Sequence, residues 1–310
     1  MYVDPQIKKF VEELASQEAP HPVEMGLEAA REGFSQLWRM VNPENRELER
    51  NEDLFIPGPS GDIRCKLYVP KGTTEPLPIL AYFHGGGMCL MSPEDFEGTN
   101  TIISDDAKCI VVVPDYRLAP ENPFPAPLED CYATLRWLQE NADSIGGDSS
   151  RIAIAGDSGG GYLTAAVSLE AKLNNTPQPI LQILIYPMID MAGISTSRVE
   201  ETLFLDDRTL QWVISMHAGD NRLDPRASPI HATDVSGLAP ALIIAADIDP
   251  LRDEGRAYAS KLQKAGVTAH YQLYRGVVHG FFNFGSFSDQ ANLAVQNAIS
   301  ALKSAFNNVN

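Results

Sequence analysis

Short apolar segments alternate along most of the chain with segments whose apolar residues recur every three or four positions. The short apolar segments predict strands buried on both faces. They lie at 77–83, 109–113, 152–155, 180–186, 241–246 and 268–274. Between them, spacings such as Leu128, Cys131, Tyr132 and Leu135 predict helices. This alternation predicts an α/β fold whose mostly parallel central sheet has helices on both faces.

Two regions depart from that alternation. The first fifty residues predict two amphipathic helices, around Phe10 and Trp38, and a later irregular stretch leads into a helix that contains Leu210 and Val213. We expect these two regions to form a helical cap over a single core domain. The predicted division is N-terminal cap helices at 1–50, core at 51–190, cap insertion at 191–227 and core again at 228–310.

One serine lies at a sharp junction between a predicted strand and a predicted helix. Residues 156–160 read GDSGG, which fits G-x-S-x-G with Ser158 at the centre. A chain that reverses from strand into helix strains the central residue, and only small neighbours two positions away fit. The strain exposes the hydroxyl, and the helix start offers free N–H groups to developing negative charge. A plain turn or a phosphate-binding loop also fits this spacing, so the motif alone does not assign Ser158.

Three consecutive glycines follow the predicted strand at 77–83. Gly85, Gly86 and Gly87 come directly after His84 and allow backbone N–H groups to approach a ligand without a side chain between them. Such a loop is typical of an oxyanion hole, whose donors each contribute roughly 3 kcal/mol to transition-state stabilisation. With the Gly159 N–H beside the serine, we favour an oxyanion hole over an anion cradle or a flexible loop.

A serine hydroxyl needs a base whose pKa lies near neutrality, and histidine is the natural choice. Of the six histidines, only His84 and His279 lie on glycine-flanked loops after predicted strands. His84 opens the glycine run and is expected to shape that loop, whereas His217 lies on an apolar helical stripe and is expected to be packed. His279 is therefore the candidate base.

A carboxylate must orient the histidine and stabilise the imidazolium. Asp247, Asp249 and Asp253 all follow the predicted strand at 241–246, and the residues alone do not choose among them. A serine, an aspartate and a histidine in this chain order are typical of α/β-hydrolases. By contrast, we expect Asp115, Arg117 and Glu121 to form ion pairs that hold a loop.

Composition disfavours several other functions. Only 24 Lys and Arg face 41 Asp and Glu, and the net charge of −17 argues against binding nucleic acid or anionic membranes. No H-E-x-x-H or C-x-x-C spacing occurs, so a metal hydrolase is disfavoured and no metal or cofactor is expected. Charges run through the N-terminus, no segment has the length of a signal peptide or a membrane span, and we expect no stable membrane insertion and a cytoplasmic location.

Together, these motifs resemble the hormone-sensitive lipase-like family of α/β-hydrolases, bacterial carboxylesterases with an HGGG loop and a GDSAG elbow. The resemblance runs from about residue 77 to residue 281 and rests on HGGGM, DYRLAPENPFPAPLED, GDSGG, DPLRDE and HGF. It implies the α/β-hydrolase fold with a helical cap. It also implies Ser158 as the nucleophile, His279 as the base and Asp249 as the acid, with Asp253 in a structural role.

The resemblance further implies which backbone groups form the oxyanion hole. The expected donors are Gly86, Gly87 and Gly159, with Gly85 supporting the turn. Gly159 stands where the family usually has alanine, which leaves the N–H in place and should change the chemistry little. The two cap regions diverge from the family, so substrate preference is the least determined property.

The expected activity is hydrolysis of carboxylic esters with short to medium acyl chains through an acyl-enzyme intermediate. An amidase, a deacetylase or a lipase would use the same residues, and relative rates on matched esters and amides distinguish them. A small-molecule receptor of the same fold is the alternative outside catalysis, but the complete set of Ser158, Asp249 and His279 argues against it. The last strand could leave an exposed sheet edge along which two copies pair as a homodimer.

Overall fold

The structure is a computed structural model of the 310-residue chain. It describes residues 1–17, 19–73, 76–193, 195–200 and 202–308. The remaining residues, including 194 and 201 within the predicted cap insertion, lie outside the described residues.

An eight-stranded sheet forms the centre of the molecule. Its strands are β1 (Arg50–Gly58), β2 (Gly61–Val69), β3 (Leu77–Phe83), β4 (Ile110–Pro114), β5 (Gly147–Asp157), β6 (Gln182–Ile185), β7 (Ala241–Ile248) and β8 (Ala269–Val278). They are ordered β1-β2-β4-β3-β5-β6-β7-β8; β1–β2 and β2–β4 pair antiparallel and all other neighbours pair parallel. The predicted mostly parallel sheet is confirmed, and β3, β5, β7 and β8 present their carboxyl ends at one edge.

Nine helices are described in these ranges. They are α1 (Pro5–Ala15), α2 (Pro22–Met25), α3 (Leu27–Val41), α4 (Glu97–Ala107), α5 (Ala126–Asn141), α6 (Gly159–Leu173), α7 (Asp207–His217), α8 (Arg252–Lys264) and α9 (Asp289–Asn307). The N-terminal region thus holds a short third helix, α2, that apolar spacing did not predict. Pro22 begins it and the His21 ring accepts a hydrogen bond from the Val23 N–H, so local capping forms this helix.

Alternate residues of the central strands pack on opposite faces of the sheet, as the two-residue period of a strand requires. On β3, Leu80 and Tyr82 pack in the cluster that includes residues of α4 and α9, such as Ile103 and Leu302. The intervening Ile79 and Ala81 pack with residues of α5 and α6. Helices therefore cover both faces, as predicted, and the buried sheet is a rigid base for the loops that follow its strands.

The two regions that interrupt the alternation meet at the edge where those loops lie. Phe34 and Trp38 of α3, Leu210 of α7, and Phe204 before α7 line the same cavity as Ser158. Residues of both 1–50 and 191–227, the two regions predicted to form a cap, thus line this cavity. None of the helices in the described ranges has both the length and the apolar content needed to cross a bilayer.

Candidate active site

Ser158 occupies the strained turn between β5 and α6. Its φ of 56° and ψ of −117° lie outside the ordinary regions for a residue with a side chain, and its N–H donates to the Ile185 carbonyl at 2.8 Å. A Cβ on Gly156 would overlap the Gly160 carbonyl, and a Cβ on Gly160 would overlap the Phe83 carbonyl. The small neighbours demanded by the G-x-S-x-G spacing are therefore required by backbone contacts.

The His279 ring connects Ser158 to a buried carboxylate. His279 Nε2 lies 2.8 Å from Ser158 Oγ, and its Nδ1 lies 2.8 Å from Asp249 Oδ2. The Asp249 side chain is fully buried, and its other oxygen accepts a hydrogen bond from the Leu251 N–H at 2.8 Å. Since a carboxylate accepts the Nδ1 proton, Nε2 is left free to accept the proton of the serine hydroxyl.

The two carboxylates that competed with Asp249 in the sequence point elsewhere. Asp247 accepts from the Gly276 N–H at 3.3 Å. Asp253 accepts from the Ser197 N–H at 3.0 Å and pairs with Arg252. Both groups hold neighbouring segments, and of the three candidates only Asp249 contacts His279.

The glycine run lies against the serine on the side of β3. Gly86 and Gly87 have positive φ values of 98° and 60° and line the cavity that contains Ser158. Gly85 lies behind them, where a Cβ would be 2.6 Å from Asp157 Oδ2. This arrangement places the backbone of Gly86 and Gly87 at the wall of the cavity beside Ser158, with Gly85 behind them.

Gly159 adjoins the glycine run at the start of α6. A Cβ on Gly159 would lie 3.0 Å from the Gly87 nitrogen and 2.7 Å from Met88 Sδ. An alanine there is possible only if the flexible Met88 side chain moves. The glycine at this position is thus matched to Met88 packing while leaving the N–H at the helix start available.

Sequence reasoning missed a buried carboxylate beneath the site. Asp157 is the variable residue of G-x-S-x-G, and its carboxylate accepts from Tyr82 Oη at 2.9 Å and from Asn283 Nδ2 at 3.3 Å, and it lies against Gly85. Burial raises its pKa to about 6, against the opposing effect of these hydrogen bonds. Asp157 therefore lies between the elbow and the glycine run. The apolar strand before it is the one sequence signal that could have indicated its burial.

The other histidines that drew attention are packed rather than exposed to the cavity. His84 is buried and stacks on Tyr116 with ring centroids 4.2 Å apart, and burial lowers its pKa. His217 packs against Phe124 and Tyr162, and burial lowers its pKa to about 3. These contacts agree with a loop-shaping His84 and a core His217.

The charged residues of the loop after β4 form ion pairs, as expected. Asp115 pairs with Arg64, Arg117 with Asp130 and Glu121 with Arg31, with shortest N–O distances of 2.8, 2.8 and 2.7 Å. The Arg31 guanidinium also donates to the Ala119 carbonyl, which joins this loop to α3. These residues hold the loop rather than contact Ser158.

Ser158, His279 and the glycine run face a small cavity of about 160 Å³. Apart from Ser158, His279 and the glycine run, its wall is mainly apolar and comes from α3, α7 and the segment before α7. The Trp38 ring and the side chains of Phe34, Phe204 and Leu210 form much of it. A nucleophile, a base and backbone N–H groups facing an apolar cavity can perform acyl transfer.

Comparisons with known proteins agree with this arrangement. A family model described as alpha/beta hydrolase fold matches residues 80–283. Carboxylic ester hydrolase LipN of Mycobacterium tuberculosis is 38% identical, and the match covers 83% of this chain and 71% of LipN. Carboxylesterase NlhH of the same species is 37% identical over 90% of both chains. A hyperthermophilic esterase from the archaeon Pyrobaculum calidifontis superposes with a TM-score of 0.92 at 36% identity, covering 98% of this chain and 99% of that one.

Proposed function

The chain belongs to the hormone-sensitive lipase-like family of α/β-hydrolases and is a carboxylesterase, and we propose that it hydrolyses short- to medium-chain acyl esters with Ser158, His279 and Asp249. The observation that carries this assignment is the pair of 2.8 Å contacts that join the serine oxygen, the imidazole and the buried carboxylate. The triad is built from residues of the chain alone and requires no metal or organic cofactor.

In the first half of the reaction, Ser158 Oγ attacks the ester carbonyl carbon while His279 Nε2 accepts the hydroxyl proton. The carbonyl oxygen becomes negative and is held by the N–H groups of Gly86, Gly87 and Gly159. When the C–O bond to the alcohol breaks, His279 returns the proton to the departing alkoxide. Asp249 stabilises the imidazolium throughout without taking its proton.

In the second half, water takes the place of the alcohol. His279 accepts a proton from the water, the resulting hydroxide attacks the acyl carbon, and the same N–H groups hold the second oxyanion. Collapse of this intermediate breaks the bond to Ser158 Oγ, which recovers its proton from His279. The products are the carboxylic acid, the alcohol and the original enzyme.

The size of the cavity supports the preference for short to medium chains. A cavity of roughly 150 Å³ accommodates benzene, a group of six carbon atoms. The catalytic cavity has about 160 Å³ and must receive both sides of the ester near Ser158. A lipase acting on long chains would need more space beside Ser158 than this.

Two finer statements complete the proposal. Two copies pair along β8, which lies at the edge of the sheet with Arg275 largely exposed; sedimentation velocity showing only monomers at micromolar concentration would contradict this. The enzyme resides in the cytoplasm, in keeping with four buried free cysteines; recovery of activity outside the cytoplasmic fraction would contradict this.

The assignment is tested by hydrolysis of p-nitrophenyl esters from acetate to dodecanoate. We expect activity to peak on short chains and Ser158→Ala to lower kcat by at least about 10⁴-fold, because it removes the nucleophile. Ser300→Ala is the matched control, since this exposed serine of α9 bonds only the Gln296 carbonyl. Equal activity of Ser158→Ala and the wild type would remove Ser158 from the mechanism, and tight ligand binding without turnover would favour a receptor.

A further inference from the structure

A second, larger cavity lies against the outside of the catalytic cavity. It is an open groove of about 630 Å³ between α1, α2 and α3. Apolar side chains form most of its floor and sides, among them Val11, Leu14, Met25, Leu37, Met40 and Leu203. The two cavities are lined in common by His21, Pro22, Phe34 and Phe204. These four residues, here called the shared wall, face both the groove and the cavity above Ser158.

Two kinds of contact hold the shared wall in place. Phe34 packs on Trp38 with ring centroids 6.2 Å apart, and Phe204 packs on Trp38 at 6.1 Å. His21 joins the two halves of the cap, because its Nε2 lies 3.0 Å from Asp206 Oδ2. The His21 Nδ1 accepts the Val23 N–H, so the ring proton is on Nε2 and is donated to Asp206 even when the ring is neutral. The wall is therefore held by these contacts but consists of partly exposed side chains.

The shared wall lies on the side of the site where the alcohol leaves. His279 must deliver its proton to the alkoxide oxygen, so the alkoxy group of the ester lies on the His279 side of Ser158. Gly280 follows His279, and a Cβ on it would be 3.1 Å from the Trp38 ring. Since Trp38 packs on both Phe34 and Phe204, an alkyl chain that extends from the alkoxide oxygen runs toward the shared wall.

The catalytic cavity alone is too small for a long alcohol. Its volume of about 160 Å³ is close to the roughly 150 Å³ that holds six carbon atoms. The apolar groove beyond the wall offers about four times that volume. Extra methylenes enter it only if Phe34 or Phe204 rotates aside, and burying them there is favourable.

We propose that the groove between α1 and α3 is a subsite for the alkyl chain of the alcohol, and that Phe34 and Phe204 determine which alcohols reach it. This inference rests on the proposed esterase function and deepens it. The substrates it adds are acetyl or other short acyl esters of medium-chain primary alcohols. The acyl side of the ester stays in the catalytic cavity and is governed by other residues.

The test compares ethyl, butyl, hexyl and octyl acetate, with proton release followed at constant pH. All four form the same acetyl-enzyme, so differences in kcat/KM report the alcohol side alone. We expect Phe34→Ala to raise the octyl-to-butyl ratio of kcat/KM by about tenfold, since it opens the wall to extra methylenes. The p-nitrophenyl octanoate-to-butanoate ratio, which reports the acyl side, should change less than about twofold.

Two further variants distinguish use of the groove from a nonspecific loosening of the protein by a Phe→Ala substitution. Phe55→Ala makes the same substitution at an exposed phenylalanine of β1 and should leave the octyl-to-butyl ratio at its wild-type value. Met40→Asp places a charge in the groove at an exposed position. It should lower octyl acetate turnover about tenfold in the Phe34→Ala background and by a smaller factor in the wild type, where the wall must first open.

Several results would overturn the proposal. An unchanged octyl-to-butyl ratio in folded Phe34→Ala would do so, as would a shift confined to the acyl series or an equal effect of Met40→Asp in both backgrounds. If Phe34→Ala does not fold, Phe34→Leu keeps most of the packing and must still raise the ratio. Absence of butyl acetate hydrolysis by the wild type would overturn the esterase function as well, whereas an unchanged ratio with normal butyl acetate turnover overturns the subsite alone.

Discussion

The loops of the core and the helices of the cap meet at one cavity but are held by different forces. In the core, Ser158 is fixed by its own strained backbone, and the Asp249 carboxylate is fully buried and bonded to the next turn. In the cap, the His21–Asp206 contact joins side chains that are 25% and 48% exposed, and aromatic contacts such as Phe10–Phe204 supply the rest. The core therefore fixes the reacting atoms, while the cap shapes the space around them and tolerates more change.

The largest expected difference in kcat is between substitutions of two carboxylates near the end of β7. Asp249 contacts a residue of the core, and Asp253 contacts the predicted cap insertion. Asp249→Asn should lower kcat about 10⁴-fold, because the amide holds His279 in the wrong tautomer. Asp253→Asn removes the charge that pairs with Arg252 but leaves an amide oxygen for the Ser197 N–H, and it should change kcat less than about tenfold. Steady-state kinetics on p-nitrophenyl butanoate, with folding checked by circular dichroism, measure both. Comparable losses in the two variants would contradict the assignment of Asp249.

The sequence predicted well those features that are formed by residues contiguous in the chain. The strand before Ser158, the G-x-S-x-G turn and the helix after it are contiguous, so the elbow could be located from thirteen residues, 151–163. The competition among Asp247, Asp249 and Asp253 could not be resolved in that way, because three carboxylates within seven positions differ only in the direction the chain turns after β7. The family resemblance singled out Asp249, and the structure places it against His279.

What the sequence missed depends on contacts between distant segments. No apolar stripe predicted α4, whose buried face includes Thr99, Asn100, Thr101 and Ser104. Asn283 lies 126 positions from Asp157, and only the folded chain brings its amide to that carboxylate. The shared wall joins residues of α2, α3 and the segment before α7, and no spacing rule connects them. Cap specificity is thus the property least accessible to sequence reasoning.

The next effect compares two glycines of the same run, one packed on the core and one on the cap. A Cβ at Gly86 would overlap the Leu90 carbonyl, and the backbone there cannot yield, so Gly86→Ala should displace the loop and cost about 100- to 1,000-fold in kcat. A Cβ at Gly87 would lie 2.9 Å from the Val213 side chain of α7, which can move. Gly87→Ala should therefore lose about tenfold less than Gly86→Ala. Single-turnover acylation rates measure both. A larger loss of rate in Gly87→Ala than in Gly86→Ala would mean that the cap, through Val213, determines the position of the glycine run.

The smallest effect concerns stability, and here the two regions should respond to pH with opposite sign. Burial raises the pKa of Asp157 in the core to about 6, above its ordinary value of 3.8. Between these pH values the folded state binds more protons than the unfolded state, so the contribution of Asp157 to the free energy of unfolding falls as pH rises, by roughly 3 kcal/mol in all. Partial burial acts to raise the pKa of Asp206 in the cap, but hydrogen bonds from Thr209 and His21 outweigh it and the pKa is lowered.

The contribution of Asp206 to the free energy of unfolding is consequently complete above about pH 4 and is lost as pH falls through its lowered pKa. Urea unfolding of the wild type, Asp157→Asn and Asp206→Asn between pH 3 and pH 7.5 tests this. The pH-dependent contributions of all other groups cancel when the free energy of unfolding of each variant is subtracted from that of the wild type. The wild-type advantage over Asp157→Asn should shrink from pH 4 to pH 7, while its advantage over Asp206→Asn should grow up to about pH 4.5 and then level off. If both differences in the free energy of unfolding change with pH in the same direction, Asp157 is ionised in the fold at little cost. A buried carboxylate that accepts enough hydrogen bonds can behave in this way. The Asp157 side chain beside the glycine run would then be a carboxylate throughout this pH range, rather than only above about pH 6.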